Sequence, residues 1–305
     1  MRVMVTGAGG FAGKHLTHHL RSAGHEVVAA GHGTDVSIDF RMAEEVHALV
    51  AQVQPQVVYH LAGTSSVAEV ARDPAGGNAN IVQPAVNVFE AVAQHAPRAR
   101  VLLVSSCHVV GRPGRLPIGE DAPLAPTDLY GAARAAVEYM VRTYLTRGVD
   151  IVIARAFHHT GPGQSPRFVL ADWAARACRG DREIPVGNLE LRRDYSDVRD
   201  VVAGYALLVE RAERGSVVQL CSGVARSLAD LFAEVAPGCI PVVDASRVRG
   251  GAPPVILGSP ARAEALGWER RHPWGRTVAD LRAGSGCTVG AGPSAVPPVH
   301  SAAAR

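Results

Sequence analysis

The stretch Arg2-Val3-Met4-Val5-Thr6-Gly7-Ala8-Gly9-Gly10-Phe11-Ala12-Gly13 decides the fold. A short apolar run ends in glycines. From Lys14 to Ala23 the spacing then turns helical, with Leu16 and Leu20 on one face and polar residues on the other. Strand, glycine turn and helix in this order open a βαβ unit. Glycines allow positive φ and let the backbone approach a pyrophosphate, while the helix N-terminus supplies free N–H groups and partial positive charge. The bland alternative is a plain tight turn.

Outward from that turn the same alternation continues. Gly24 stops the first helix, and Glu26 to Ala30 reads as a second buried strand. Helical spacing over Met42–Val53, Asn80–His95 and Leu129–Thr146 alternates with strand signals at Gln56–Leu61, Arg100–Ser105 and Asp150–Arg155. Such a chain builds an α/β fold, a doubly wound parallel sheet covered on both faces. After about Gly161 the alternation weakens and loops increase, predicting a smaller C-terminal lobe. The expected organisation is a dinucleotide-binding Rossmann domain over 1–160, a second lobe over 161–283 with some strand exchange between them, and a Gly/Ala/Pro/Ser-rich tail over 284–305, expected to be disordered.

Composition excludes several classes. With 47% hydrophobic and 19% charged residues the chain is globular, and a net charge of +3 gives no argument for nucleic acid. Apolar runs are too short to span a membrane, and the N-terminus enters a strand directly with no signal-peptide anatomy. Five scattered cysteines without C-x-x-C argue against a disulfide framework or a zinc site and fit a reduced cytoplasm. The histidine sets His15/His18/His19 and His158-His159 bring no carboxylate or cysteine at ligand spacing, so no metal is expected. Of 31 basic residues, Lys14 alone is lysine. Arginine in place of lysine at any one position can therefore be drift.

The second strand ends at Ala30-Gly31-His32, without the carboxylate that would bind an adenosine ribose. A 2′-phosphate would meet no repulsion there, which favours NADP over NAD. His32 either contacts that phosphate or is an exposed loop residue. Asp39-Phe40 follows an expected third strand and either edges the adenine or, through Asp39, caps the next helix.

Ser106 ends the fourth strand, and Tyr130 and Arg134 stand four apart on one helix face. A phenol ordinarily titrates at about 10, and a neighbouring cation helps its phenolate form. Tyr130 can donate a proton to a carbonyl oxygen while Ser106 hydrogen-bonds the same oxygen.

These residues, with Val57–Gly63, Asn80, Ser105–Gly111, His159–Gln164, Gly187–Asp200 and Gly258–Trp268, make the chain resemble an extended short-chain dehydrogenase/reductase of the NAD-dependent epimerase/dehydratase group. Within that group it is most similar to the GDP-4-keto-6-deoxy-mannose reductases, over roughly residues 1–282. The resemblance implies that Gly7, Gly10, Phe11 and Gly13 line the cofactor phosphates and that Leu61, Ala62 and Gly63 pass near the ribose and nicotinamide. It makes Ser106, Tyr130 and Arg134 catalytic, the last two also touching NAD(P). It assigns Cys107, His108, His158, Asn188, Arg193 and Arg249 to the substrate side, the two arginines for the phosphates of a nucleotide-diphosphate sugar. The alternative for Arg193 is a salt bridge with Asp194 or Asp197. The group often forms homodimers, and Val137, Met140, Val141 and Tyr144 are either such a face or core.

The chain departs from the group's pattern at Arg134, where lysine is usual, at Val110, His158, Gly250 and Ala252, and at His108, where related dehydratases carry a glutamate. The resemblance implies NAD(P)H-dependent reduction of a 4-keto nucleotide-diphosphate sugar. An epimerase with tightly bound NAD and a catalytically lapsed sugar-nucleotide-binding homologue remain as alternatives.

Overall fold

The computed structural model describes residues 1–248 and 250–286. Its first half runs β1 (Arg2–Thr6), α1 (Phe11–Ser22), β2 (Glu26–Ala30), α2 (Ala43–Val53), β3 (Val57–His60), α3 (Val67–Arg72), α4 (Pro74–His95), β4 (Arg100–Ser106), α5 (Leu129–Thr146) and β5 (Asp150–Ala156). The second half runs β6 (His158–Thr160), α6 (Val169–Cys178), β7 (Glu183–Val186), β8 (Arg192–Asp197), α7 (Val198–Arg211), β9 (Val217–Leu220), β10 (Ala225–Ser227), α8 (Leu228–Val235), β11 (Ile240–Val243), β12 (Val255–Ile256), α9 (Ala261–Ala265) and α10 (Trp274–Gly284).

Six parallel strands form the main sheet in the order β2-β1-β3-β4-β5-β9. Their sequences are apolar at successive positions because both faces are covered. Met4, Val58, Val101, Leu103, Ile151 and Ile153 face α2, α4 and α5. Their neighbours Val3, Val5, Val57, Tyr59, Leu102, Val152 and Ala154 face α1 and α7 on the opposite side. Winding reverses between β1 and β3, and ligands bind outside the carboxyl ends of strands at such a point. The sheet's last strand, β9, and the helix α7 come from beyond residue 160. A separate core gathers α6, β7, α8 and α10 around Trp173, Leu231 and Phe232.

Several expectations change. The strand expected before Asp39 shrinks to an isolated bridge between Ala30 and Val36. Helix α4 starts at Pro74, not Asn80, because Asp73 caps it by accepting from Gly76 N at 3.0 Å and Pro74 suits a first turn. Val137, Val141 and Tyr144 are core, so a homodimer would have to use other residues. Gly284, taken as the start of the tail, is the last residue of α10, and residues 287–305 of that expected tail lie outside the described residues. Cys107, Cys221 and Cys239 are free thiols, but Cys178 is disulfide-bonded, which departs from the expectation of uniformly reduced cysteines. Among the described residues no helix is long and apolar enough to cross a membrane.

One buried ion pair joins β5 to α5. Arg155 and Glu138, with side chains 5% and 3% exposed, approach to 2.8 Å. Ser105 Oγ donates to Glu138 Oε1 at 2.5 Å, and Arg155 Nη1 donates to the Glu120 carbonyl at 3.0 Å. Removing one partner strands the other charge in the core. We expect Glu138→Ala to lower denaturant-measured stability by about 3–5 kcal/mol. The double variant Glu138→Met/Arg155→Met should cost less than that single one.

Candidate active site

Thr6, at the end of β1, organises the cofactor side. Its hydroxyl accepts from Leu61 N at 3.1 Å and Ala62 N at 3.0 Å and meets His60 Nδ1 at 2.9 Å. This locks the Leu61–Gly63 segment against the glycine turn. A Cβ at Gly7, whose φ is +67°, would lie 2.8 Å from Ala62 N; one at Gly13 would lie 2.3 Å from the Gly7 carbonyl oxygen. Gly10 precedes α1 and caps it with no side chain, so the first-turn N–H groups remain for an anion. Above them a cavity of about 240 Å³ is lined by Gly9, Gly10, Phe11, Lys14, Pro162 and Arg167, among others. Phe11 stacks on His159, and His15 reaches the Pro162 carbonyl at 3.0 Å, so the His159–Gln164 segment forms the cavity's other wall. Burial holds the His159 ring below the usual histidine range.

A second cavity of about 300 Å³ lies beside the end of β2, lined by Lys14, Thr17, His18, Arg21, Thr34 and Asp35 among others. No carboxylate stands at Ala30-Gly31-His32, where β2 ends. The fold brings one, Asp35, which pairs with Arg21 and accepts from Ala29 N at 3.4 Å. His32 is exposed. Asp39 does not cap α2, whose preceding residue is Met42. Its carboxylate binds Arg41, which pulls it down to about 2. The Phe40 side chain is buried in the core, so only its backbone can border a ligand.

The chemistry-bearing residues meet at the carboxyl end of β4. Ser106 and Tyr130 are each 7% exposed. Asp128 caps α5 by accepting from Gly131 N at 2.7 Å and also contacts His108 Nδ1 at 2.7 Å, fixing the start of that helix to the turn after β4. Gly131 permits the contact, since a Cβ there would lie 2.4 Å from the His108 carbonyl oxygen. The His108 and Tyr130 rings then meet edge-to-face, 5.6 Å between centroids.

Arg134 is 6% exposed, and its guanidinium carbon lies 5.4 Å from the Tyr130 ring centre. Nη1 donates to the Val104 carbonyl at 3.2 Å and Nη2 to the Thr64 carbonyl at 3.0 Å, while Nε is buried without a hydrogen-bond partner among the described residues. It thus bridges β4 to the loop after β3. The close-packed glycine turn, its uncapped helix and this orphaned nitrogen beside Tyr130 fit a nicotinamide dinucleotide.

On the substrate side, Cys107 is buried, and desolvation, reinforced by Asp194, pushes its thiol up to about 12. The His158 ring lies 5.8 Å from that of His108 and 5.3 Å from that of Tyr195. One ligand-capable atom from each of Cys107, His108 and His158 falls within 4.8 Å of the others, a convergence that residue spacing did not reveal. Arg193 is buried and donates to the carbonyls of Arg192 at 2.8 Å and Pro253 at 3.0 Å. Asp194 accepts from Ser222, and Asp197 binds Arg199 and Thr277. Asn188 donates to Glu190 on the loop after β7. Arg249 lies outside the described residues. The fold also brings Lys14 and Arg167 to the glycine-turn cavity, Asp128 to His108 and Tyr195 to His158, positions that residue spacing does not reveal. The one signal for Lys14 was its being the sole lysine.

A dinucleotide turn, a serine ending β4 and a tyrosine and cation on α5 define an extended short-chain dehydrogenase/reductase. Residues 3–221 match the NAD dependent epimerase/dehydratase family, and the chain belongs to it. It is 31% identical over 283 residues to a GDP-6-deoxy-D-mannose reductase of Pseudomonas aeruginosa, covering 88% of this chain and 91% of that protein. It is 26% identical to a UDP-glucose 4-epimerase of Corynebacterium glutamicum, covering 92% and 94%. Among solved structures, RMD from Pseudomonas aeruginosa complexed with NADPH superposes with a TM-score of 0.84 at 29% identity, over 93% of this chain and 98% of that one. The UDP-glucose 4-epimerase of Thermus thermophilus in complex with NAD gives 0.85 at 25% identity, over 93% and 99%.

Lysine at position 134 would keep the charge but cannot span two carbonyls as the planar guanidinium does. We expect Arg134→Lys to lower kcat/KM about tenfold, the loss of one charge-assisted hydrogen bond, in steady-state nicotinamide absorbance assays.

His60 supplies a pH prediction. Burial, reinforced by the Arg134 charge, pushes its ring down to about 3. The folded chain keeps it neutral, while the unfolded chain takes up a proton below about 6.5. Stability is therefore present above 6.5 and falls as pH drops from there toward 3, by up to about 1.4 kcal/mol per unit. Denaturant titrations at several pH values should show a shallower acid slope for His60→Gln.

Proposed function

We propose that this chain reduces a 4-keto nucleotide-diphosphate sugar with NADPH. The observation that carries the reading is Tyr130 packed between the Arg134 guanidinium and His108 at the end of β4. A bound reduced nicotinamide supplies the hydride. Ser106 Oγ and the Tyr130 hydroxyl hold the carbonyl oxygen, and Tyr130 passes its proton to that oxygen as the carbon is reduced. The positive charge of Arg134 offsets the phenolate left behind. Asp128 holds His108 against the Tyr130 ring and so keeps one side of the phenol dry. The similarity to a GDP-6-deoxy-D-mannose reductase supports a 4-keto-6-deoxy sugar.

Lys14, His18 and Arg21 beside the end of β2 support NADPH as the reductant, with the Asp35 charge taken up by Arg21. Arg193 and Arg249 are assigned to the diphosphate and Asn188 to the base. The similarity to UDP-glucose 4-epimerases supports the second reading, an epimerase that retains NAD and shows no net consumption.

Nicotinamide absorbance should fall when a GDP- or dTDP-4-keto-6-deoxyhexose is added to the protein with NADPH. No loss with either base overturns the reductase. Tyr130→Phe should lower kcat by about 10²–10⁴-fold with NADPH affinity, read by fluorescence titration, unchanged.

A further inference from the structure

Three ligand-capable atoms meet in the site with no role in hydride transfer: the Cys107 sulfur and one ring nitrogen from each of His108 and His158, all within 4.8 Å of one another. We infer that Cys107, His108 and His158 form a binding site for a zinc-class divalent cation at the carboxyl end of β4.

The donor set is right for such an ion. Thiolate and imidazole are both zinc-class donors, and a site with three protein ligands leaves a fourth position open. The outer shell is in place as well. His108 Nδ1 lies 2.7 Å from Asp128 Oδ2, leaving Nε2 as the nitrogen for the cation. A carboxylate on the distal nitrogen of a ligating histidine sets its tautomer and raises its basicity. Asp128 is itself anchored, because its other oxygen caps α5. The backbone holds two of the ligands in fixed relation, since Cys107 and His108 share the 3₁₀ turn after β4 and His158 opens β6 on the neighbouring strand connection.

Metal–ligand bonds of about 2.0–2.3 Å put tetrahedral ligand atoms roughly 3.3–3.8 Å apart. Closing the observed cluster therefore asks for about 1 Å of ring and thiol rotation, within reach of side-chain torsions. On binding, the sulfur–metal bond replaces the S–H bond and one proton leaves to solvent. The cation neither gains nor loses electrons.

The site does not depend on which sugar the protein reduces, so its test is spectroscopic. Tag-free protein, stripped with a chelator, is titrated with Co²⁺. We expect one equivalent to bind with a near-ultraviolet thiolate-to-cobalt charge-transfer band and four-coordinate d–d bands, all displaced by Zn²⁺. Cys107→Ser should abolish the charge-transfer band, and Cys239→Ser should keep it. His108→Ala and His158→Ala should each weaken Zn²⁺ binding at least tenfold. Asp128→Asn, which still caps α5, should weaken it about 10–100-fold. No charge-transfer band in the parent protein, or a band that survives Cys107→Ser, overturns the site. Should Cys107→Ser fail to fold by circular dichroism, unchanged Zn²⁺ affinity in both histidine variants overturns it equally.

Discussion

Glu138 and Arg155 form an ion pair sealed inside the fold, and the position of Tyr130 follows from it. Glu138 lies two turns along α5 from Tyr130, and Arg155 lies near the end of β5. Ser105, next to Ser106, donates to the same carboxylate. Helix α5 and the ends of two strands are thus tied to one buried charge pair. Such a pair is costly to desolvate and tolerates little error in geometry. Its contribution is therefore better seen as register than as net stability: it fixes how far α5 slides along the sheet. The Glu120 side chain extends the network by accepting from Gln219 N at 3.1 Å, which ties the edge strand β9 to the same region.

A second constraint acts at the other end of α5. Asp128 caps the helix and grips His108, while Gly131 lets the helix backbone close on the turn after β4. The phenol is therefore set from both sides, by a charge pair behind and a capping carboxylate in front. Arg134 fills the space between, and its two η nitrogens serve two carbonyls from different strand ends. This gives a physical reason for arginine here beyond drift. A fork can brace the loop after β3 while staying beside Tyr130, and a single ammonium could do one of these things well.

The strands and main helices were legible because each carries its own local signature. Leu129–Thr146 was read to the residue, and the alternation from Arg2 to Arg155 was enough for a parallel sheet. The glycine turn could be read for the same reason, since close backbone approach needs glycine locally. Elements resting on distant partners were not readable. Helix α4 begins earlier because Asp73 caps it, and the apolar face of α5 proved to be core because α4 and the sheet lie over it. Asp35 was not legible as a carboxylate near the end of β2, since four residues of loop separate it from Ala30 and only the folded path returns it.

By itself the sequence determined the order of strands and helices and the dinucleotide turn, because each depends on residues near one another in the chain, and it singled out the trio Ser106, Tyr130 and Arg134. Tertiary structure alone decided which groups surround that trio. It brought Asp128 to His108, Cys107 to His158, Arg155 to Glu138, and the His159–Gln164 segment over α1. These juxtapositions join residues from separate strand ends, and no local periodicity records them. They exist because a parallel sheet gathers the carboxyl ends of its strands along one edge.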